Sequence, residues 1–214
     1  MDSSEMEFTS FGKIPRLRRE VVITEKIDGT NAAVHVEPAE YGVGAGDTTD
    51  TGGFVIFDEA SGNLLEVTAQ SRKRVITPDT DNHGFARWVW KNATELAQTL
   101  GVGCHFGEWW GSGIQRRYGR SDKSFSLFNT SRWSDVEDVR WAVEGLGVVP
   151  VLARGVLSDD LVDSTLNHLR IYGSQLLEAP GYPNPEGVVI FHTQSRNVYK
   201  VLLEGDEYPK SLSS

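Results

Sequence analysis

Cysteine is almost absent: Cys104 is the single thiol in 214 residues. One thiol excludes an internal disulfide and any metal site built on several thiolates, and it suits a reducing compartment. No apolar run approaches the roughly 20 residues that a membrane-spanning helix needs. The opening MDSSEMEFTS is acidic and lacks a charged-then-apolar leader, so a cytoplasmic location is expected. A basic excess is also missing. Lys and Arg number 21 against 30 Asp and Glu, a net charge of -9, which argues on average against a nonspecific polyanion binder. The chain is not poor in apolar residues, however. With 39% hydrophobic content wholesale disorder is excluded, and the length suffices for one well-buried domain.

The few basic residues are unevenly placed. Lys13, Arg16, Arg18 and Arg19 form one cluster, Arg72, Lys73 and Arg74 a second, and Arg116, Arg117, Arg120 and Lys123 a third. Such clusters either meet phosphates locally or are solvated loops. Runs rich in β-branched and aromatic residues read as strands at 21–27, 31–36, 54–57, 64–69, 103–108, 187–191 and 197–203. The turn signal DGTN at 28–31 predicts a hairpin between the first two, and 42–53 reads as a mobile loop. Phe85, Trp88, Val89, Leu96 and Leu100 predict a helix over 84–100, with Asp81 or Asn82 as cap and Gly101 as stop. A second helix starts at Ser158, carries Asp159 and Asp160 at its positive end, buries Leu161, Val162, Leu166 and Leu169, and stops at Gly173. A stiff loop at 179–185 feeds the next strand. Without internal repeat or linker, these elements predict one α+β domain over 1–214, with antiparallel β-sheets flanked by helices.

Five short constellations carry ionisable or aromatic residues where their cost asks for a reason. In EKIDGTN, Lys26 ends an apolar strand and meets a turn at once; partly desolvated beside other cations, it loses its proton more readily and becomes a nucleophile. The alternative is an exposed hairpin tip. Glu108 in FGEWWGSGIQRRYGR lies among Phe106, Trp109 and Trp110 and needs a partner: a sugar hydroxyl, a metal or an Arg. In SFSLFN, Phe125 and Phe128 recur every three residues as stacking rings or as core. Glu186 and Lys200 each stand alone in an apolar strand. His35, His83, His105, His168 and His192 have no metal-ligand spacing and read as structural.

Taken in order, the five segments resemble the covalent nucleotidyltransferases, the ATP-dependent polynucleotide ligases and mRNA capping enzymes. They are most similar to nick-sealing RNA ligases of the T-even phage and kinetoplastid editing type. EKIDGTN matches motif I, FGEWWGSGIQ motif III, DKSFSLFN the following aromatic motif, EGVVI motif IV and VYKV motif V, so the resemblance runs from about residue 21 to 203. It implies an ATP-grasp-like nucleotidyltransferase fold and an enzyme using ATP with Mg²⁺ or Mn²⁺. The activity implied is joining 5′-phosphate and 3′-hydroxyl ends of nucleic acid, RNA above all. By the same resemblance Lys26 takes the adenylate, Glu108 binds the ribose and Phe125 stacks on adenine. Glu186 holds the metal, and Lys200 neutralises the α-phosphate and favours the neutral amine of Lys26. Arg72 contacts phosphates, with Arg74 as the neighbouring alternative; Asp28 and Asn31 shape the motif I turn, and Glu25 touches the base through its backbone.

Two departures stand out. Most of these ligases have lysine-x-lysine in motif V, where this chain has Lys200-Val201-Leu202, and phage motif IV often continues to a lysine where this chain has Phe191 and His192. About a dozen residues follow motif V, so the expectation is an adenylyltransferase domain without C-terminal accessory domain, a monomer helped by a partner protein, in a bacterial or phage-infected cytoplasm. The competing readings are a minimal DNA ligase, a GTP-using capping enzyme, and a nucleotide- or RNA-binding module whose active site has degenerated.

Overall fold

The structure is a computed structural model describing residues 9–133 and 136–205. Its strands are β1 (Glu20–Lys26), β2 (Thr30–Pro38), β3 (Gly53–Asp58), β4 (Asn63–Ser71), β5 (Val75–Ile76), β6 (Gly103–Gly111), β7 (Lys123–Leu127), β8 (Leu146–Val148), β9 (Val151–Val156), β10 (Gly187–His192) and β11 (Val198–Leu202). Helices are α1 (Phe85–Lys91), α2 (Ala93–Leu100), α3 (Val136–Ala142) and α4 (Asp159–Tyr172). The strands form two sheets. A smaller antiparallel sheet has the order β11-β10-β1-β9, and a larger one runs β3-β4-β2-β6-β7-β8 with β5 beside β4. All described pairs are antiparallel except β7 with β8.

The larger sheet buries one face under α1 and α2. Alternation along β2 and β6 sends Ala32, Val34, Val36 and Trp109 into a core with Phe85, Val89, Leu96, Leu100, Phe125 and Leu127. Burying each large side chain there contributes about 1.5–3 kcal/mol. The smaller sheet packs Val21, Ile23, Val188 and Ile190 against Leu166 and Leu169 of α4. Between the sheets a third cluster joins Ile27, Trp110, Tyr118, Val149, Leu176 and Ala179.

The seven predicted strands and both predicted helices are present, with three differences of pairing and form. The DGTN turn is not a hairpin. β1 pairs with β9 and β10, whereas β2 pairs with β4 and β6, so residues 27–29 carry the chain from one sheet to the other. A turn signal reports a reversal of the chain but not which strand comes to lie beside which. The 84–100 helix breaks at Asn92, whose side-chain amide donates to the Trp88 carbonyl at 2.7 Å and competes with the helical ladder. The cap position is Gly84, not the expected Asp81 or Asn82; Asp81 lies upstream and its carboxylate accepts from the Ala86 N–H at 2.8 Å. The 42–53 stretch is tied down: Gly46 N–H donates to Val55 O at 2.8 Å, Val55 N–H to Asp47 O at 2.9 Å, and Glu66 accepts from the Thr49 hydroxyl at 2.7 Å. The short strands β5, β7, β8 and β9 and helix α3 add to the elements that the sequence pattern showed.

Candidate active site

Lys26 closes β1 at the point where the chain leaves the smaller sheet. Its Nζ donates to Glu186 Oε2 at 2.5 Å; the lysine side chain is 23% exposed and the glutamate 10%. Glu186 immediately precedes β10, where Gly187 has φ +152 and any Cβ would strike the Val201 carbonyl oxygen of β11. Two residues beyond Ile27 the chain passes against β6. A Cβ on Gly29 would sit 2.5 Å from Trp109 O and 2.9 Å from Glu108 Cγ, so glycine alone fits this approach. That passage lets Gly29 N–H donate to Glu108 Oε1 at 3.2 Å. Burial pushes the Glu108 carboxyl up from 4.5 to about 7, with the nearby Lys26 charge opposing. One small region therefore holds Lys26, Glu186 and Glu108, contributed by β1, the residue leading into β10, and β6 of the larger sheet.

Strand parity decides between the two phenylalanines. Phe125 is 0% exposed, packed 5.0 Å from Phe85 and 5.9 Å from Trp88 in the core beneath α1, with no face left to stack on a base. The side chains at i and i+3 of a strand point to opposite faces, so Phe128 belongs to the other side. Its N–H donates to Phe106 O at 3.0 Å, extending the β6–β7 ladder in which Glu108 lies opposite Ser126. Phe106, Glu108 and Phe128 thus share one face, and Phe106 and Phe128 are 48% and 41% exposed. The spacing that paired the two rings in the sequence is helical in period, and the strand separates them.

The other expected residues fall in graded positions. Asn31 lies directly opposite Glu108 on β2. Asp28 accepts from Arg116 Nε at 3.0 Å, and its N–H donates to the Tyr118 hydroxyl at 2.9 Å. Glu25 points away from the cleft: it is 1% exposed, Oε2 accepts from Gln175 N–H at 2.7 Å, Oε1 has no partner, and burial raises its carboxyl. Arg74 is committed to the Thr80 carbonyl at 3.0 Å, which leaves Arg72 the exposed guanidinium at the end of β4 nearest Asn31. Lys200 is exposed on β11 opposite Val189, itself opposite Thr24; Leu202 instead lies opposite Gly187, itself opposite Lys26. The missing motif V lysine is therefore the one in line with Lys26. The histidines serve structure: His192 Nε2 meets Leu17 O at 2.8 Å, His105 Nε2 meets Gly101 O at 2.9 Å, and His168 packs on Tyr172 at 4.8 Å. Among the described residues no group of three His, Cys, Asp or Glu could hold a metal alone. Sequence reasoning named Arg116 only within a basic cluster and gave Tyr118 no role, although both lie inside FGEWWGSGIQRRYGR.

An amine, an ion-paired carboxylate and a buried carboxylate thus meet where the two sheets join. The RNA ligase family model matches residues 19–202, and the chain belongs to that family. No curated protein matches the sequence. Solved structures of Naegleria gruberi RNA ligase share the fold. One variant with ATP and Mn aligns at TM-score 0.55 with 15% identity over 88% of this chain and 51% of that one. Another with ATP and Mn gives 0.54 and 16% over the same shares, and one with AMP and Mn gives 0.53 and 15% over 87% and 50%. The chain spans about half the length of these structures.

Proposed function

We propose that this chain is the adenylyltransferase unit of an ATP-dependent RNA ligase. The Lys26–Glu186 pair beside Glu108, placed where β1 crosses to the larger sheet, is the observation that carries the reading. Lys26 Nζ, once neutral, attacks the α-phosphorus of ATP; the bond to the β-phosphate oxygen breaks and pyrophosphate leaves. An oxygen of an RNA 5′-phosphate then attacks the lysyl-adenylate and frees the lysine. A 3′-hydroxyl finally displaces AMP and joins the ends. Phosphoryl transfer of this kind asks the protein for position and charge more than for covalent chemistry. Glu108 faces the ribose hydroxyls, Phe128 in place of Phe125 offers the stacking ring, and Lys200 and Arg72 face phosphates.

Glu186 suits a Mg²⁺ or Mn²⁺ ion because such ions take few protein carboxylates and complete their shell with water and substrate oxygens. Bound there, the ion would supply positive charge to the phosphates. Because Lys26 already occupies Oε2 of Glu186, that ion and the ammonium share one carboxylate. The monomeric state and help from a partner protein belong to the same proposal.

The test is the intact mass of the protein after incubation with Mg²⁺ or Mn²⁺ and each nucleoside triphosphate in turn. One adenylate added by ATP alone, and lost in Lys26→Ala, is the expected result. Labelling by GTP would give the capping reading, and no label from any nucleotide would give the binding-module reading. Sealing of nicked RNA set against nicked DNA then separates the two ligase classes.

A further inference from the structure

The segment after Glu108 makes contacts that the chemistry so far has not used. Between β6 and β7 the chain winds through 113–119 with Gln115 at φ +41, Arg117 at φ +59 and Tyr118 at φ +51. Left-handed backbone at three residues other than glycine is costly and persists where surrounding contacts over-determine it. Here the contacts converge on the catalytic segments. Arg116 Nε donates to Asp28 Oδ2 at 3.0 Å, and Arg116 Nη1 donates to Asn184 O at 2.9 Å. Asp28 follows Lys26 by two residues, and Asn184 precedes Glu186 by two. The carbonyl of Arg116 accepts from the Tyr182 hydroxyl at 3.0 Å, and the Tyr118 hydroxyl accepts from Asp28 N–H at 2.9 Å. Tyr118 is 3% exposed, held against Trp110 at 5.1 Å and Tyr182 at 4.8 Å.

We infer that Arg116, with Tyr118, is a positioning residue that holds the two loops flanking the Lys26–Glu186 pair. The β1–β10 register sets Lys26 opposite Gly187, but the strand pairing stops there, and among the described side-chain hydrogen bonds only those of Arg116 reach both the Asp28 and the Asn184 loops. An arginine suits the task because its planar fork sends donors in two fixed directions. One goes to the nucleophile's loop and the other to the loop of the paired carboxylate. The strained turn aims that fork. Neither Arg116 nor Tyr118 needs to touch the nucleotide for this role.

The inference rests on Lys26 being the adenylylated residue, so the wild-type chain is measured first, in single-turnover labelling with ATP and Mg²⁺ over a range of ATP concentrations. In Arg116→Ala the plateau rate falls about tenfold or more, while half-saturating ATP moves by less than about threefold and the labelled fraction at long times stays complete. Arg116→Lys keeps the charge but reaches one acceptor at a time, and stays at least about fivefold slow. Tyr118→Phe keeps the packed ring, removes only the hydroxyl under Asp28, and slows the plateau about threefold to tenfold; it carries the test if Arg116→Ala fails to fold. A lower labelled fraction at an unchanged rate marks mere unfolding and overturns the inference. So does a plateau rate within about twofold of wild type, a loss confined to ATP half-saturation, or full recovery in Arg116→Lys. A wild-type chain that takes no adenylate overturns the ligase reading and this inference together; a labelled wild type with unaffected variants overturns this inference alone.

Discussion

Replacing Glu108 by Gln keeps the shape of the side chain and deletes one titration. Burial holds the Glu108 carboxyl at about 7 against 4.5 when exposed, so between those pH values the folded protein binds a proton that the unfolded chain has released. Its contribution to stability is fully present below pH 4.5 and is lost as pH rises through about 7. At 1.36 kcal/mol for each tenfold difference in proton affinity the ceiling is about 3 kcal/mol, and partial solvent access brings the expectation to about 1–2 kcal/mol. Urea unfolding of both proteins at pH 5, 6, 7 and 8 reads it directly. Glu108→Gln should gain on wild type by about 1–2 kcal/mol across that range, with most of the gain between pH 5 and 7. A difference between the two proteins that stays constant with pH would refute the burial argument, because an ordinary carboxyl finishes titrating before pH 6.

The two phenylalanines should separate cleanly. Phe125→Ala opens a cavity in the core and should cost about 3–5 kcal/mol in chemical unfolding. Phe128→Ala should cost little stability and weaken ATP binding, measured by calorimetry, by about 1–3 kcal/mol; the reverse pattern would return the stacking role to Phe125. Gly29→Ala drives a methyl into Trp109 O and Glu108, and should both lower stability by about 1–3 kcal/mol and remove adenylate labelling. A Gly29→Ala protein that labels at the wild-type rate would show that the crossover has slack.

The strands that hold the site were legible because β-branched runs such as VVITEK and GVVIFH repeat their apolar residues on one face and stop at turn residues. The site residues were legible because a lysine or glutamate inside such a run is expensive without a partner, and Lys26 and Glu186 turn out to be each other's partner. What escaped was long-range. Which sheet receives β2 depends on pairing, not on the DGTN turn, so the expected hairpin became a crossover. Phe125 and Phe128 look equivalent until the strand period assigns them to opposite faces. Arg116 reads as one of several loop cations, because its two acceptors lie 88 and 68 residues away in the chain. The 42–53 loop has no periodicity to reveal that Val55 and Glu66 anchor it.

The crossover at Gly29 has a further effect on how the protein can change over evolutionary time. Lys26, Glu186 and Lys200 ride with one sheet, the side proposed to meet phosphate, while Glu108, Asn31 and Phe128 ride with the other, the side proposed to meet the nucleoside. Their relative placement is set by the thickness of the wedge formed by Ile27, Trp110, Tyr118, Val149 and Leu176. A one-methylene change in that wedge shifts the sugar-reading half against the phosphate-reading half, like a shim between two plates. Nucleotide preference and transfer rate can thus be tuned from residues that never meet a substrate, and a survey of variants should find such tuning substitutions inside this apolar seam rather than around the rim.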